Sequence, residues 1–379
     1  MTTIGRSAGE APGAPPAAAP VNDTIVALWQ QRIREAAAAG RPLVIRGGGS
    51  KDFYGQDPVG DVLDTTPYTG IVDYDPTELV VTVRSGTPLG EVERALADAG
   101  QMLAFEPPHF GTRATIGGTV AAGLSGPRRP YAGAVRDLVL GVRILDGRGA
   151  ELAFGGRVMK NVAGFDVARL MAGALGTLGV LLEVSLKCQP CPKVTTTRTL
   201  ACTPAEGLRR TTGWAGQPMP LSATCQVGDR LHVRLAGAAP AVDAAAARIG
   251  GEALPAGEEL FAAVREQTHP FFAAAHAPGR SLWRLSVKPT APYAELGGAQ
   301  LIEWGGALRW LDVEAGAPSA PLRAWAAQHG GHATLFRGGD KKIGVFQPLA
   351  EPLALLHQRL KASFDPHAIL NRGRLYPGL

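Results

Sequence analysis

An α+β fold is predicted for this 379-residue chain, and three observations predict it. Short apolar runs rich in β-branched residues alternate with amphipathic helical stretches as far as residue 187. Glycine-bearing loops follow directly on several of those runs. From Pro190 onward the signals change to paired strands and alanine-rich helices, which marks a second α+β unit.

Residues 1–21 are rich in Ala, Pro and Gly, lack the apolar core of a secretory leader, and are expected to form a flexible tail. Over residues 22–39, Ile25, Leu28, Trp29 and Ile33 share one helical face; Gly40 and Pro42 stop the helix. Leu43-Val44-Ile45 then forms a short buried strand, and Leu79 to Val83 a second one. Leu89 to Ala99 reads as a helix with Thr87 as its cap and Pro88 as its first residue. Val139 to Leu145 and Glu151 to Phe154 flank Asp146-Gly147-Arg148-Gly149, a hairpin by spacing and turn chemistry. Leu178 to Leu186 is a further strand.

In the second unit, Leu221–Gln226 and Leu231–Leu235 make a hairpin around Gly228-Asp229. Residues 240–249 and 257–268 read as helices, and Leu282–Val287 and Ala307–Val313 as strands. Leu349 to Phe364 is a closing helix before the tail Asp365–Leu379. The expected division is therefore 22–189, 190–345 and a C-terminal helix with tail, 346–379.

Composition narrows the function. The net charge of +5 is scattered without a basic run, which argues against nucleic acid as a partner. No stretch approaches the roughly 18 uninterrupted apolar residues of a membrane span, so a cytoplasmic chain with reduced cysteines is expected. Cys188-Gln189-Pro190-Cys191 has a metal-site spacing, but Cys202 and Cys225 form no second close pair, and no metal is expected. His329 and His332 are spaced like a metal pair but lack acidic neighbours. Arg337, Lys341 and Lys342, beside a Gly-Gly turn, are expected to be exposed.

Three glycine-bearing stretches stand out: Arg46-Gly47-Gly48-Gly49-Ser50; Thr115-Ile116-Gly117-Gly118, closing at Gly123 and Gly126; and Lys160 to Asp166 continuing to Gly176-Thr177-Leu178-Gly179-Val180. Glycine lets backbone amides approach an anion closely, so the three suggest a long phosphate-bearing ligand. Neither the G-x-G-x-x-G nor the P-loop pattern is present in its proper context, so a nucleotide must be held in another way.

Taken in order with Asp137-Leu138-Val139-Leu140-Gly141, these stretches resemble the FAD-binding domain of the vanillyl-alcohol-oxidase flavoprotein family over roughly residues 22–190. The tail Phe364 to Asn371 resembles the family's C-terminal close. Chain length and Gly330 to Asp340 are most similar to the smaller FAD-binding subunits of bacterial glycolate oxidases. The resemblance implies a two-subdomain PCMH-type FAD-binding domain, an α+β cap or substrate-type domain, and a tail returning to the first domain. It implies FAD contacts from Arg46, Gly47, Gly48, Gly49, Ser50, Lys51, Pro108, Thr115, Gly117, Gly118, Gly123, Gly126, Thr177, Gly179, Val180 and Asn371. Covalent attachment in this family uses His in the first loop or Cys in the second. Here Ser50 and Lys51 stand in that loop and no Cys precedes Cys188, so FAD is expected to bind non-covalently.

The resemblance further implies partners: a catalytic flavoprotein subunit and an iron–sulfur subunit, with glycolate or a similar 2-hydroxy acid as substrate. The complex would lie in the cytoplasm, peripheral to the inner membrane. Oxidation of a 2-hydroxy acid needs a base for the hydroxyl proton and a cation for the carboxylate. His109 and Arg129 are the candidates. Catalytically complete relatives resemble G-H-x-G-D-G-N-x-H where this chain has Gly330-Gly331-His332-Ala333-Thr334, which speaks against independent catalysis. Two alternatives stay open: a stand-alone dehydrogenase of another 2-hydroxy acid, and a scaffold that binds FAD without redox change. Asp166 is expected to cap the helix beginning at Val167.

Overall fold

The computed structural model describes residues 21–156 and 166–379. The expected tail, apart from Val21, and the stretch Lys160 to Phe165 lie outside the described residues.

The N-terminal part is built on a five-stranded antiparallel sheet, in the order Ile71–Asp75, Val80–Arg84, Val180–Lys187, Val139–Leu145, Glu151–Gly155. The central strand Val180–Lys187 is buried along all but its last residue, as its apolar run requires. The helix Leu89–Asp98 covers the sheet with Leu89, Val92 and Leu96. The expected hairpin forms. Asp146 Oδ1 accepts from the Arg148 and Ala150 amides, and Gly149 takes φ 73°.

The helix Val21–Ala39 covers a separate parallel pair, Leu43–Arg46 with Asp61–Asp64. The C-terminal segment adds to this pair: Leu43 N–H donates to Ile369 O at 2.7 Å, and Asn371 N–H to Leu43 O at 2.9 Å.

An eight-stranded antiparallel sheet follows, in the order Glu252–Ala253, Val194–Ala201, Arg230–Gly237, Leu221–Val227, Ala299–Glu303, Leu308–Glu314, Arg280–Ser286, His332–Gly338. Its outer side is covered by helices such as Ala239–Ile249 and Ser319–Gln328. Its inner side packs Leu282, Trp310 and Phe336 against Tyr54, Leu124 and Leu175 of the N-terminal part. Glu106 fixes that contact, accepting from Arg128 N–H at 3.0 Å and from Arg234 Nη2 at 2.6 Å. No helix among the described residues is long and apolar enough to cross a membrane.

Two expectations are corrected. Thr87 does not cap the following helix. Its hydroxyl donates to Arg84 O at 2.7 Å and its oxygen accepts from Gly70 N–H at 2.9 Å, which leaves Pro88 at the cap position. Arg337 is not exposed: it lies 3.3 Å from the Phe53 ring centre, and burial lowers its pKa to about 10. Asp166 does cap its helix, accepting from Arg169 N–H at 3.1 Å.

Candidate cofactor-binding site

The first glycine loop leaves the strand Leu43–Arg46 and packs against the N-terminus of the helix Ile116–Ala122. A Cβ at Gly48 would lie 1.5 Å from the Arg113 carbonyl oxygen, and one at Gly117 2.8 Å from the Ser85 carbonyl oxygen. Backbone therefore meets backbone at both points, which only glycine permits. Thr115 caps the helix, its Oγ1 accepting from Gly118 N–H at 3.2 Å.

A groove runs between the loop and this helix. Its outer reach is lined by Arg46 to Asp52, Thr115, Gly118 and Arg374. Inward it becomes a slot walled by Ile45, Ala121, Leu175 and Leu181. A broader cavity of 530 Å³ flanks the other side of Gly47 and Gly48, bordered by Asp64, Thr66 and Arg113.

Lys51 is partly buried at the outer end. Its Nζ donates at 3.3 Å to His109 O, 5.7 Å from the Phe110 ring centre. Burial pulls its pKa down to about 8, against the attraction of Glu266. Leu175 (φ 50°) and Asn371 (φ 40°) both adopt the left-handed conformation, which costs non-glycine residues of order 1–3 kcal/mol. They are tied together, since Asn371 Nδ2 donates to Leu175 O at 2.6 Å while Oδ1 accepts from Ile45 N–H at 2.7 Å.

The structure brings together Arg46, Gly47, Gly48, Gly49, Ser50, Lys51, Thr115, Gly117, Gly118, Gly179 and Asn371 around this groove. Five expected residues lie elsewhere. Gly123 ends the helix in the left-handed conformation and packs against Gly173. Thr177 turns its hydroxyl back onto Ala174 O at 2.7 Å, and Val180 is fully buried in the core. Pro108 and Gly126 border a different cavity, beneath the eight-stranded sheet.

Ser85 is the residue that sequence reasoning missed. It lines the slot, is 1% exposed, and its buried Oγ has no hydrogen-bond partner. Its one signal is a small polar residue at the end of a β-branched strand, beside Gly86.

The two candidate catalytic residues are already engaged. His109 Nε2 lies 2.8 Å from Glu93 Oε2, and its backbone N–H donates to Glu266. The Arg129 guanidinium stacks 4.5 Å from the Trp304 ring centre, and burial lowers its pKa. The cavity beneath the sheet holds 20 Å³, room for about one water. On its wall, Glu303 accepts from Trp310 Nε1 at 2.7 Å and is pushed up to about 7 by burial. His329 Nδ1 bonds Trp325 O, and no cluster of three metal-ligating side chains occurs among the described residues. Cys188 is buried and pushed up to about 12, while Cys191 is exposed.

Residues 27–155 match the family model described as an FAD binding domain. Over 92% of its length the chain is 47% identical to the glycolate oxidase subunit GlcE of Escherichia coli (strain K12), and the match covers 97% of that protein. The chain belongs to the GlcE family of glycolate oxidase subunits. FAD is accordingly its cofactor, and the groove fits it: a capped helix N-terminus, a lysine and an unpartnered hydroxyl surround the glycine loop.

This GlcE-family chain is also 33% identical, over 40% of its length, to the glycolate oxidase subunit GlcD of Bacillus subtilis (strain 168), and covers 33% of that protein. It is 33% identical over 35% of its length to a D-lactate dehydrogenase of Anaerostipes hadrus, covering 28% of it. Among solved structures, alkyldihydroxyacetonephosphate synthase shares the fold, with a TM-score of 0.62 at 14% identity, over 90% of this chain and 73% of that one.

Proposed function

We propose that this chain is the FAD-binding subunit of a complex that oxidises glycolate to glyoxylate, beside a catalytic flavoprotein subunit and an iron–sulfur subunit. The complex works in the cytoplasm, at the inner membrane surface. One observation carries the reading: end-to-end likeness to a glycolate oxidase subunit in a chain whose glycine loop, capped helix and Lys51 converge on one groove. FAD, when bound, supplies a carrier of two electrons.

The chain's own residues do the holding. Amides of Gly47 to Ser50 and the helix N-terminus at Thr115–Gly118 face the phosphates. Lys51 adds positive charge, and Asn371 ties the C-terminal segment across the groove. Residues 22–189 thus hold the cofactor, 190–345 cap it, and 346–379 return to the first part.

Electron relay is favoured over substrate turnover on this chain. His109 is held by Glu93, Arg129 lies on Trp304, and the cavity beneath the sheet is too small for a hydroxy acid. Purification of the chain alone and with its partners tests this. The isolated chain should retain flavin yet oxidise little glycolate, and photoreduced flavin should pass its electrons to the reconstituted complex. Robust turnover of a 2-hydroxy acid by the isolated chain would establish the stand-alone dehydrogenase instead. A flavin that never changes redox state during turnover would establish the scaffold.

A further inference from the structure

Ser85 follows the strand Val80–Arg84 and is held by its backbone on two sides. Its N–H donates to Leu182 O at 2.8 Å, and its carbonyl accepts from Gly117 N–H at 2.8 Å. The side chain is wedged against the helix Ile116–Ala122, since a Cβ on Gly117 would come within 2.6 Å of Ser85 Cβ. Within this fixed frame the hydroxyl is buried and has no partner. Leaving a buried hydroxyl unsatisfied carries a desolvation cost that native folds seldom keep without a reason.

The other polar side chains of the slot are committed. Asn371 uses both amide atoms, on Ile45 N–H and Leu175 O, and Thr65 Oγ1 donates to Arg46 O at 3.3 Å. Of the described residues with a buried unpartnered side-chain atom, Ser85 is the one that lines this slot. The slot therefore combines aliphatic walls, Ile45, Ala121, Leu175 and Leu181, with a single free hydroxyl. Apolar walls with one or two placed polar groups suit a purine nucleoside, ring faces on the aliphatic side chains and a polar edge on the hydroxyl. The opposite end of the groove, at Lys51, leads by way of His109 O and Phe110 toward the eight-stranded sheet. That is the direction in which a redox-active ring must go to meet anything outside the N-terminal part.

We infer that the Ser85 hydroxyl hydrogen-bonds the adenosine end of FAD in this slot, and that the unliganded chain carries an unsatisfied group which the cofactor completes. The inference rests on the FAD reading above.

Ser85→Ala in the full chain tests it, with calorimetric titration of FAD and of ADP and a melting curve of the unliganded protein. Wild type should bind both ligands. The variant should weaken both by the same factor, about twofold to tenfold, the range for one hydrogen bond. Its unliganded melting temperature should be unchanged or higher, because the hydroxyl it lacks has no partner to lose. Unchanged affinity for both ligands overturns the inference. So does weakening of FAD alone, which would place the hydroxyl at the flavin half, or a clear loss of unliganded stability, which would mean the hydroxyl is already satisfied. Wild-type protein that binds neither ligand overturns the cofactor reading itself, and this inference with it.

Discussion

At Gly48 no side chain can be added without moving the Arg113 carbonyl 1.5 Å away. The sequence reading placed a phosphate there; the structure adds the protein's own backbone. Gly48→Val should thus lose flavin and also destabilise the unliganded chain, by more than about 2 kcal/mol, the scale of an overpacked site. Denaturant melts without FAD check this, and flavin loss at unchanged stability would restore the phosphate as the sole reason. Lys51 gives a second residue-scale prediction. With its pKa near 8, the ammonium is lost as pH rises through that value, and its attraction for phosphate goes with it. FAD affinity should weaken above pH 8, by at most about tenfold per pH unit. In Lys51→Met the affinity should be lower at pH 7 and flat across that window. The same shift makes the unliganded chain gain stability from pH 8 toward 10.5, where the unfolded lysine still binds a proton that the folded one has lost. Glycines, Ser50 and Lys51 were legible from the motif. Ser85 was not, because an orphan hydroxyl is a property of its surroundings.

The C-terminal helix Glu351–Phe364 and the segment after it act as a strap on the cofactor part. Lys361 Nζ donates to Thr177 O at 2.7 Å, to Leu370 O at 2.7 Å and to Asp365 Oδ2 at 2.8 Å, with both charged side chains almost fully buried. Removing one member leaves the other charge buried and unpaired, at about 3–5 kcal/mol. Asp365→Ala should lower the melting point and release flavin together, because Asn371 depends on the same segment. A melt that shows the loss while flavin affinity holds would separate the strap from the site. Helices here were legible from apolar periodicity, and hairpins from Asp-Gly and Gly-Asp turns. Asp61–Asp64 and Ile71–Asp75 were not, since acidic residues interrupt their apolar runs and they become strands by pairing with Leu43–Arg46 and Val80–Arg84. Val194–Ala201, with four threonines, and His332–Gly338, to which no element was assigned, become strands by pairing with distant neighbours.

At the scale of the molecule, two layers meet across a charged and aromatic seam. Glu106, at φ 47°, joins Arg128 to Arg234 of the eight-stranded sheet, and Trp304 Nε1 donates to Gly126 O at 3.0 Å. Glu106→Ala should leave the buried Arg234 with only the exposed Glu258, at 3.7 Å, as a carboxylate partner and cost up to about 3–5 kcal/mol, read as an earlier unfolding transition in denaturant. Gly126, expected at the cofactor, belongs to this seam because the chain turns away from the glycine helix after Gly123, and Pro108 lines the cavity beside it. The change of signal at Pro190 falls between the last strand of the five-stranded sheet and the first of the eight-stranded one, whereas the seam pairs residues 128 positions apart and no local pattern announces it. The central claim is that backbone amides of separated glycine turns, with Lys51, jointly hold one FAD. The visible spectrum of the purified full chain tests it most directly. Bound oxidised flavin should absorb near roughly 370 and 450 nm, released intact by denaturation because it is not covalently attached. Protein that is colourless and stays so after incubation with excess FAD and gel filtration would contradict it.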